Sequence, residues 1–136
     1  NNAHLCKRYP SLLALFVRGF APRVARNLFA NHLRHYEYHD LDQSSPTIGI
    51  ELISGCCMFA RTSALKTVGG FDPRYFLYFE DFDLSKKMAQ LGLIAYLPDA
   101  NIVHYGGKNP NKGWQHILYF NRSAFRFYRT HGLKII

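Results

Sequence analysis

The chain has 136 residues, 48% hydrophobic and 15% aromatic, which allows one domain with a real core and no more. Its formal charge is +8 and unevenly placed: all nine acids lie between Glu37 and Asp99, while residues 1–36 and 100–136 each hold six Lys/Arg and no acid. That balance favours an anionic partner, whether phosphorylated ligand, membrane surface or nucleic acid.

Three cysteines, two of them adjacent as Cys56-Cys57, give no disulfide framework and no paired zinc spacing, and they fit a reducing compartment. Asn1-Asn2-Ala3-His4 is not the charged start of a signal peptide. No run reaches the ~20 apolar residues of a membrane span. The first residue is not Met, and the chain reads as a fragment.

Residues 10–36 predict one or two helices. Ser11 can cap the first, and Leu12, Leu13, Phe16, Val17 and Phe20 recur at helical spacing. Gly19 and Ala21-Pro22 break the run, and Val24, Leu28, Phe29 and Leu33 resume it. Arg18, Arg23, Arg26 and Arg34 make the segment basic. It reads either as an amphipathic segment docked on the rest of the domain or as one lying on anionic lipid. His32, His35 and His39 fall at i, i+3 and i+7. With no Cys or carboxylate in register, they read as solvent-exposed rather than metal-binding. Tyr36 to Pro46 is polar loop.

Ile48 to Ala60 predicts a buried strand pair, or one bent strand, around Ser54-Gly55. A Gly within a strand pattern marks a bulge or a close backbone approach. Thr62 caps a short helix that ends at Gly69. The next stretch, Gly69 to Leu84, crowds aromatics and four carboxylates together. It opens on a Gly-Gly turn and an Asp-Pro step, and feeds Glu80, Asp81 and Asp83 into the start of a helix predicted over 81–91. Leu84, Met88 and Leu91 form that helix's expected buried face. Acids at a helix start complement its dipole and free N–H groups. Alternatively, Phe76, Tyr78 and Phe79 desolvate them and suit one to general-base work.

Residues 93–97 and 100–105 read as two short strands, and 106–113 as a Gly-rich loop that carries Lys108 and Lys112. A long helix follows from Trp114 to Thr130. Ile117, Leu118, Phe120 or Asn121, Ala124, Phe125 and Tyr128 give its expected apolar face, with Arg122, Arg126 and Arg129 on another.

The residues Gly69-Gly70-Phe71-Asp72, Tyr78, Glu80-Asp81-x-Asp83-Leu84, Tyr96-x-Pro98-x-Ala100 and His104 closely resemble the C-terminal half of family 2 glycosyltransferases, in the rhamnosyltransferase-like branch that builds bacterial surface polysaccharide. The specific motifs run from about Leu52 to Tyr105. The resemblance implies an α/β chain, more strictly an α+β fragment: the acceptor-side part of a GT-A nucleotide-diphospho-sugar transferase fold with flanking helices. It divides as 1–46 (helical insertion and loop), 47–105 (cleft core) and 106–136 (loop and C-terminal helix).

The same resemblance implies an inverting enzyme that moves a sugar from a nucleotide-sugar donor to a glycan or lipid-linked saccharide. Asp81 would be the general base, and Glu80 would orient the acceptor or hold Asp81. Gly55, Asp72, Phe76, Asp83, Lys108 and Trp114 would contact substrate. His104 would be a ligand for a divalent metal, Mg or Mn. The family's Asp-x-Asp metal motif at the end of an apolar strand has no counterpart here, since Asp40-Leu41-Asp42 sits in polar loop. The fragment alone is therefore expected to be inactive, with the metal depending on an N-terminal half. The expected location is cytoplasmic, at the inner face of the membrane. The alternative is a basic module that binds a membrane surface or nucleic acid without catalysis. Nucleic acid is disfavoured, because the acidic centre would repel phosphates.

Overall fold

A computed structural model describes residues 5–103 and 113–136, save the side chains of Arg23 and Ala25. The order is β1 (Cys6–Lys7), α1 (Leu12–Phe20), α2 (Arg23–Leu28), α3 (Ala30–Tyr36), β2 (Thr47–Ile48), β3 (Leu52–Ile53), α4 (Thr62–Thr67), α5 (Glu80–Met88), β4 (Ala95–Tyr96) and α6 (Trp114–His131). The chain is therefore a mixed α+β structure, helical with two small sheets.

Ser11 caps α1 as its sequence position predicts: its side chain accepts from the Ala14 N–H. The Leu12 and Leu13 amides, also at the helix start, donate to the Lys134 and Ile135 carbonyls. The C-terminal tail thus finishes the cap. Residues 10–36 make three helices rather than one or two. Gly19 does not interrupt α1. The helix ends at Phe20, and its C-cap Ala21 takes the extended conformation that the following Pro22 favours.

The strands are much shorter than predicted. β2 and β3 do not pair with each other. β1 pairs antiparallel with β3 (Cys6 opposite Ile53), and β2 with β4 (Thr47 opposite Tyr96). Gly49 lies between them at φ 88°, a left-handed bend that lets the chain leave one sheet for the other. Residues 56–59 are not strand, and neither are 100–103.

Two apolar clusters hold these parts. The larger joins Tyr75, Phe79, Phe127 and Tyr128, with Tyr9, Leu15, Phe82, Phe120 and Ala124 packed around them. Their rings meet at tilted or edge-to-face angles, such as Phe79 on Phe82 at 5.6 Å and 84°. The smaller cluster, Cys6, Ile50 and Tyr96, lies between the two sheets' edges with Ile53 and Ile94 beside it.

Two predicted faces change. α5 ends at Met88, so Leu91 lies beyond it and is exposed, and the buried residues are Asp83, Leu84 and Ser85. On α6 the anchor is Phe127, fully buried, whereas Phe125 stands 70% exposed.

Candidate active site

The site is built where α5 meets β3. The polypeptide reaches α5 through two consecutive left-handed residues that are not glycine, Tyr78 (φ 68°) and Phe79 (φ 64°). Such backbone costs about 1–3 kcal/mol per residue and persists only where packing over-determines it. Here it does. Phe79 sits in the larger core among Phe82, Phe120 and Phe127. The Tyr78 hydroxyl and His116 Nδ1 lie 3.0 Å apart, and Ser123 Oγ donates to the Leu77 carbonyl at 2.7 Å. The result is an abrupt helix start with Glu80, Asp81 and Asp83 all in the first turn.

Asp81 is half-buried. Its Oδ2 accepts the Gly55 N–H at 2.9 Å, and its Oδ1 accepts the Phe82 N–H at 2.9 Å. Burial pushes its carboxyl above the usual range, while these two backbone donors, which favour the charged form, pull the other way. An ionised carboxylate has about four acceptor positions. Two are used, so the group keeps capacity for an incoming hydroxyl.

Gly55 is the close approach that its place in the sequence suggested. A Cβ there would lie 3.5 Å from the Asp81 Cβ, in ordinary contact. What matters at this position is its N–H and not the missing side chain.

Glu80, the first residue of α5, has its carboxyl raised by burial first and by the Asp81 charge as a lesser cause. Its Oε2 is buried with no hydrogen-bond partner among the described residues. Buried polar atoms are normally satisfied, and the Tyr75 hydroxyl and Asp83 Oδ2 share this condition. Glu80, Asp81 and Gly55 are thus brought together.

The other predicted residues lie elsewhere. Asp83 is buried and tied to α6: His131 Nε2 lies 2.8 Å from Oδ1, and Lys87 Nζ 3.1 Å from Oδ2. Lys87 also donates to the Gly70 carbonyl at 2.7 Å, which pins the Gly69-Gly70 turn to α5. Asp83 therefore reads as the clamp between α5 and α6. Asp72 is gripped by Arg74 at 2.6 Å, and that guanidinium holds its carboxyl down to about 2. Phe76 is 78% exposed and packs on Tyr119, so it does not wall the carboxylates. Trp114 opens α6 and is largely exposed. His104 and Lys108 lie outside the described residues.

Sequence reasoning missed Ser85. It is buried behind Asp81, accepts the Ile53 N–H at 3.1 Å and donates to the Asp81 carbonyl at 2.7 Å. One hydroxyl thereby links β3 to the turn that bears Asp81. Its place four residues after Asp81 was the available signal. Among the described residues no group of three or more His, Cys, Asp or Glu could hold a metal.

Over 97 residues, 68% of the chain, the sequence is 35% identical to the N-acetylglucosaminyl-diphospho-decaprenol L-rhamnosyltransferase of Mycobacterium tuberculosis, in strains CDC 1551 / Oshkosh and ATCC 25618 / H37Rv. Over 57 residues it is 35% identical to the rhamnosyltransferase WbbL of Escherichia coli strain K12. The aligned portion spans 30% of the length of the mycobacterial proteins and 22% of the Escherichia coli protein. No family profile matches the chain, and no solved structure does. The resemblance drawn from the Gly69–Leu84 stretch is therefore shown: this chain is similar to proteins named as rhamnosyltransferases.

Proposed function

We propose that this chain forms the acceptor side of a glycosyltransferase site of the GT-A type, with Asp81 as its general base. The observation that carries the reading is the Asp81 carboxylate itself. It is held by the Gly55 and Phe82 amides, has free acceptor positions, and stands beside a Glu80 oxygen that lacks a donor.

The reaction is a single displacement. An acceptor hydroxyl gives its proton to Asp81 as its oxygen bonds to the anomeric carbon of the donor. The bond from that carbon to the nucleoside diphosphate breaks, and the configuration inverts. Glu80 accepts a second hydroxyl of the acceptor and so orients it. The raised carboxyl of Asp81 improves its match to a proton-accepting role near neutral pH.

The relatives' names suggest an L-rhamnosyl group as the sugar carried and a lipid-linked N-acetylglucosaminyl diphosphate as the acceptor; the step is proposed to belong to polysaccharide synthesis on the cytoplasmic side. A divalent ion, Mg2+ or Mn2+, belongs to the reading only through residues other than those described, because the described ones make no metal-holding group. The chain alone is proposed to be inactive, since it spans only part of its relatives' length.

The test is Asp81→Asn in an active protein that carries this chain, with sugar transfer followed from a nucleotide-sugar. Loss of a general base is expected to lower kcat by about 10²–10⁴-fold, with KM little changed. Parent-like turnover in a folded Asp81→Asn protein would refute the assignment.

A further inference from the structure

α6 carries two apolar stripes, and only one faces the core. Phe120, Ala124, Phe127 and Tyr128 pack inward. Trp114, Leu118 and Phe125, at i, i+4 and i+11, fall on a separate stripe and stand in water, Trp114 at 71% exposure. An exposed apolar patch of this kind marks an interaction surface.

α1 repeats the pattern beside it. Ala14 and Val17 are buried, while Leu12, Phe16 and Phe20 are exposed, and Phe16 and Phe20 stack at 5.9 Å. Leu12, Phe16 and Phe20 of α1 and Phe125 of α6 line one open apolar groove of about 600 Å³, with Leu133 of the tail also in its wall.

The rim of this groove is basic. Arg129 lines it, Arg122 is exposed two turns back on the same flank of α6, and Lys134 follows on the exposed tail. Arg18 lies on α1, with Glu37 at 3.9 Å as its nearest acid. Neither α1 nor α6 carries an acidic residue.

We propose that this α1–α6 face docks on an anionic lipid bilayer. The Phe and Trp rings enter the interfacial layer, and Arg122, Arg129 and Lys134 meet headgroup phosphates. Charge complementarity selects this occupant. A second copy would bring the same cations against themselves, and a neutral apolar segment would leave the basic rim without a role. The proposal holds whether or not Asp81 is a base, so the two readings fail separately.

The test is sedimentation of the 136-residue chain with vesicles of phosphatidylcholine, with and without phosphatidylglycerol, with far-UV circular dichroism as the check on folding. Trp114 is the sole tryptophan, so its emission reports directly on this face. The expected result is binding to the anionic vesicles with blue-shifted emission, weakened about tenfold or more by added salt or by neutral lipid. Phe125→Ser and Arg129→Glu, both at exposed positions, are each expected to reduce binding about tenfold while the helical spectrum stays unchanged. Absence of binding at low salt would overturn the proposal. So would binding that Phe125→Ser leaves intact, or a dimer in solution that Phe125→Ser dissolves.

Discussion

Replacing Ser85 with Ala removes one oxygen from the centre of the site. Two bonds go with it: acceptance of the Ile53 N–H and donation to the Asp81 carbonyl. The second loss is cheap, because a helical carbonyl at that position also accepts the amide four residues on. The first is not. Ile53 is in β3, where its amide points at α5 and meets no water at the buried Ser85. An orphaned N–H in such a place costs about 1–3 kcal/mol. Alanine returns a few tenths of a kcal/mol as the better helix former. The net expectation is a loss of about 1–2.5 kcal/mol, read by urea denaturation.

The same substitution frees β3 from the turn that bears Asp81. Amide exchange at Ile53 and Gly55 is therefore expected to speed up together, well before global unfolding. A Ser85→Ala protein within about 0.5 kcal/mol of the parent, with Gly55 exchange unchanged, would refute the view that this hydroxyl holds Asp81 at its distance from the Gly55 amide.

Phe127→Ala is expected to cost about 3–5 kcal/mol in the same assay, because the ring is fully buried at the centre of the aromatic cluster. Phe125→Ala, two positions away and exposed, is expected to fall within about 0.5 kcal/mol of the parent. Arg8 grips Asp40 through two bonds of 2.8 and 2.6 Å and holds its carboxyl down to about 2. A depressed carboxyl contributes stability that is present above its unfolded value and lost as pH falls. The parent should therefore weaken from about pH 4 toward pH 2, and Arg8→Ala should flatten that part of the curve in pH-dependent denaturation.

Local signals in the sequence carried part of the fold, though Thr62 is the first residue of α4 behind Arg61 rather than its cap, and Gly19 lies within α1. Ser11 before an apolar run gave the α1 cap, and the acidic turn before Leu84 gave the α5 start. Most of the other differences depend on residues far apart. Asp83 meets His131 across 48 positions, and no local pattern joins a first-turn acid to the last residue of another helix. The two-residue strands are held by partners on other segments and are too short to show alternation. Phe125 was assigned to the core of α6, and Phe127 was not, because a helix with two apolar stripes defeats a reading that allows one. Tyr78 and Phe79 carry no signal for left-handed backbone, since bulky aromatics rarely adopt it.

That strained start explains why Glu80 is where it is, and it leads to the last prediction. A straight approach to α5 would let the first-turn acids face water, where they would cap the helix at little cost. The left-handed pair instead turns the chain so that Phe79 enters the core and Glu80 follows it into partial burial. Its carboxyl is raised, so the folded chain holds that proton more tightly than the unfolded one does. For an acid shifted upward, the contribution to stability is full at low pH and is lost as pH rises through the folded value. Near neutral pH the charged Glu80 is therefore a burden on the fold. Glu80→Gln removes the charge and keeps the shape. It is expected to be more stable than the parent near neutral pH and to lose that advantage in acid, as denaturation at the two pH values will show. If Glu80 orients the acceptor, the same protein should transfer sugar more slowly, because stability surrendered at a site is commonly what its function requires. A Glu80→Gln protein that is less stable than the parent near neutral pH would mean that the ionised carboxylate is matched by a partner within the fold, and the case for an acceptor contact at Glu80 would fall with it.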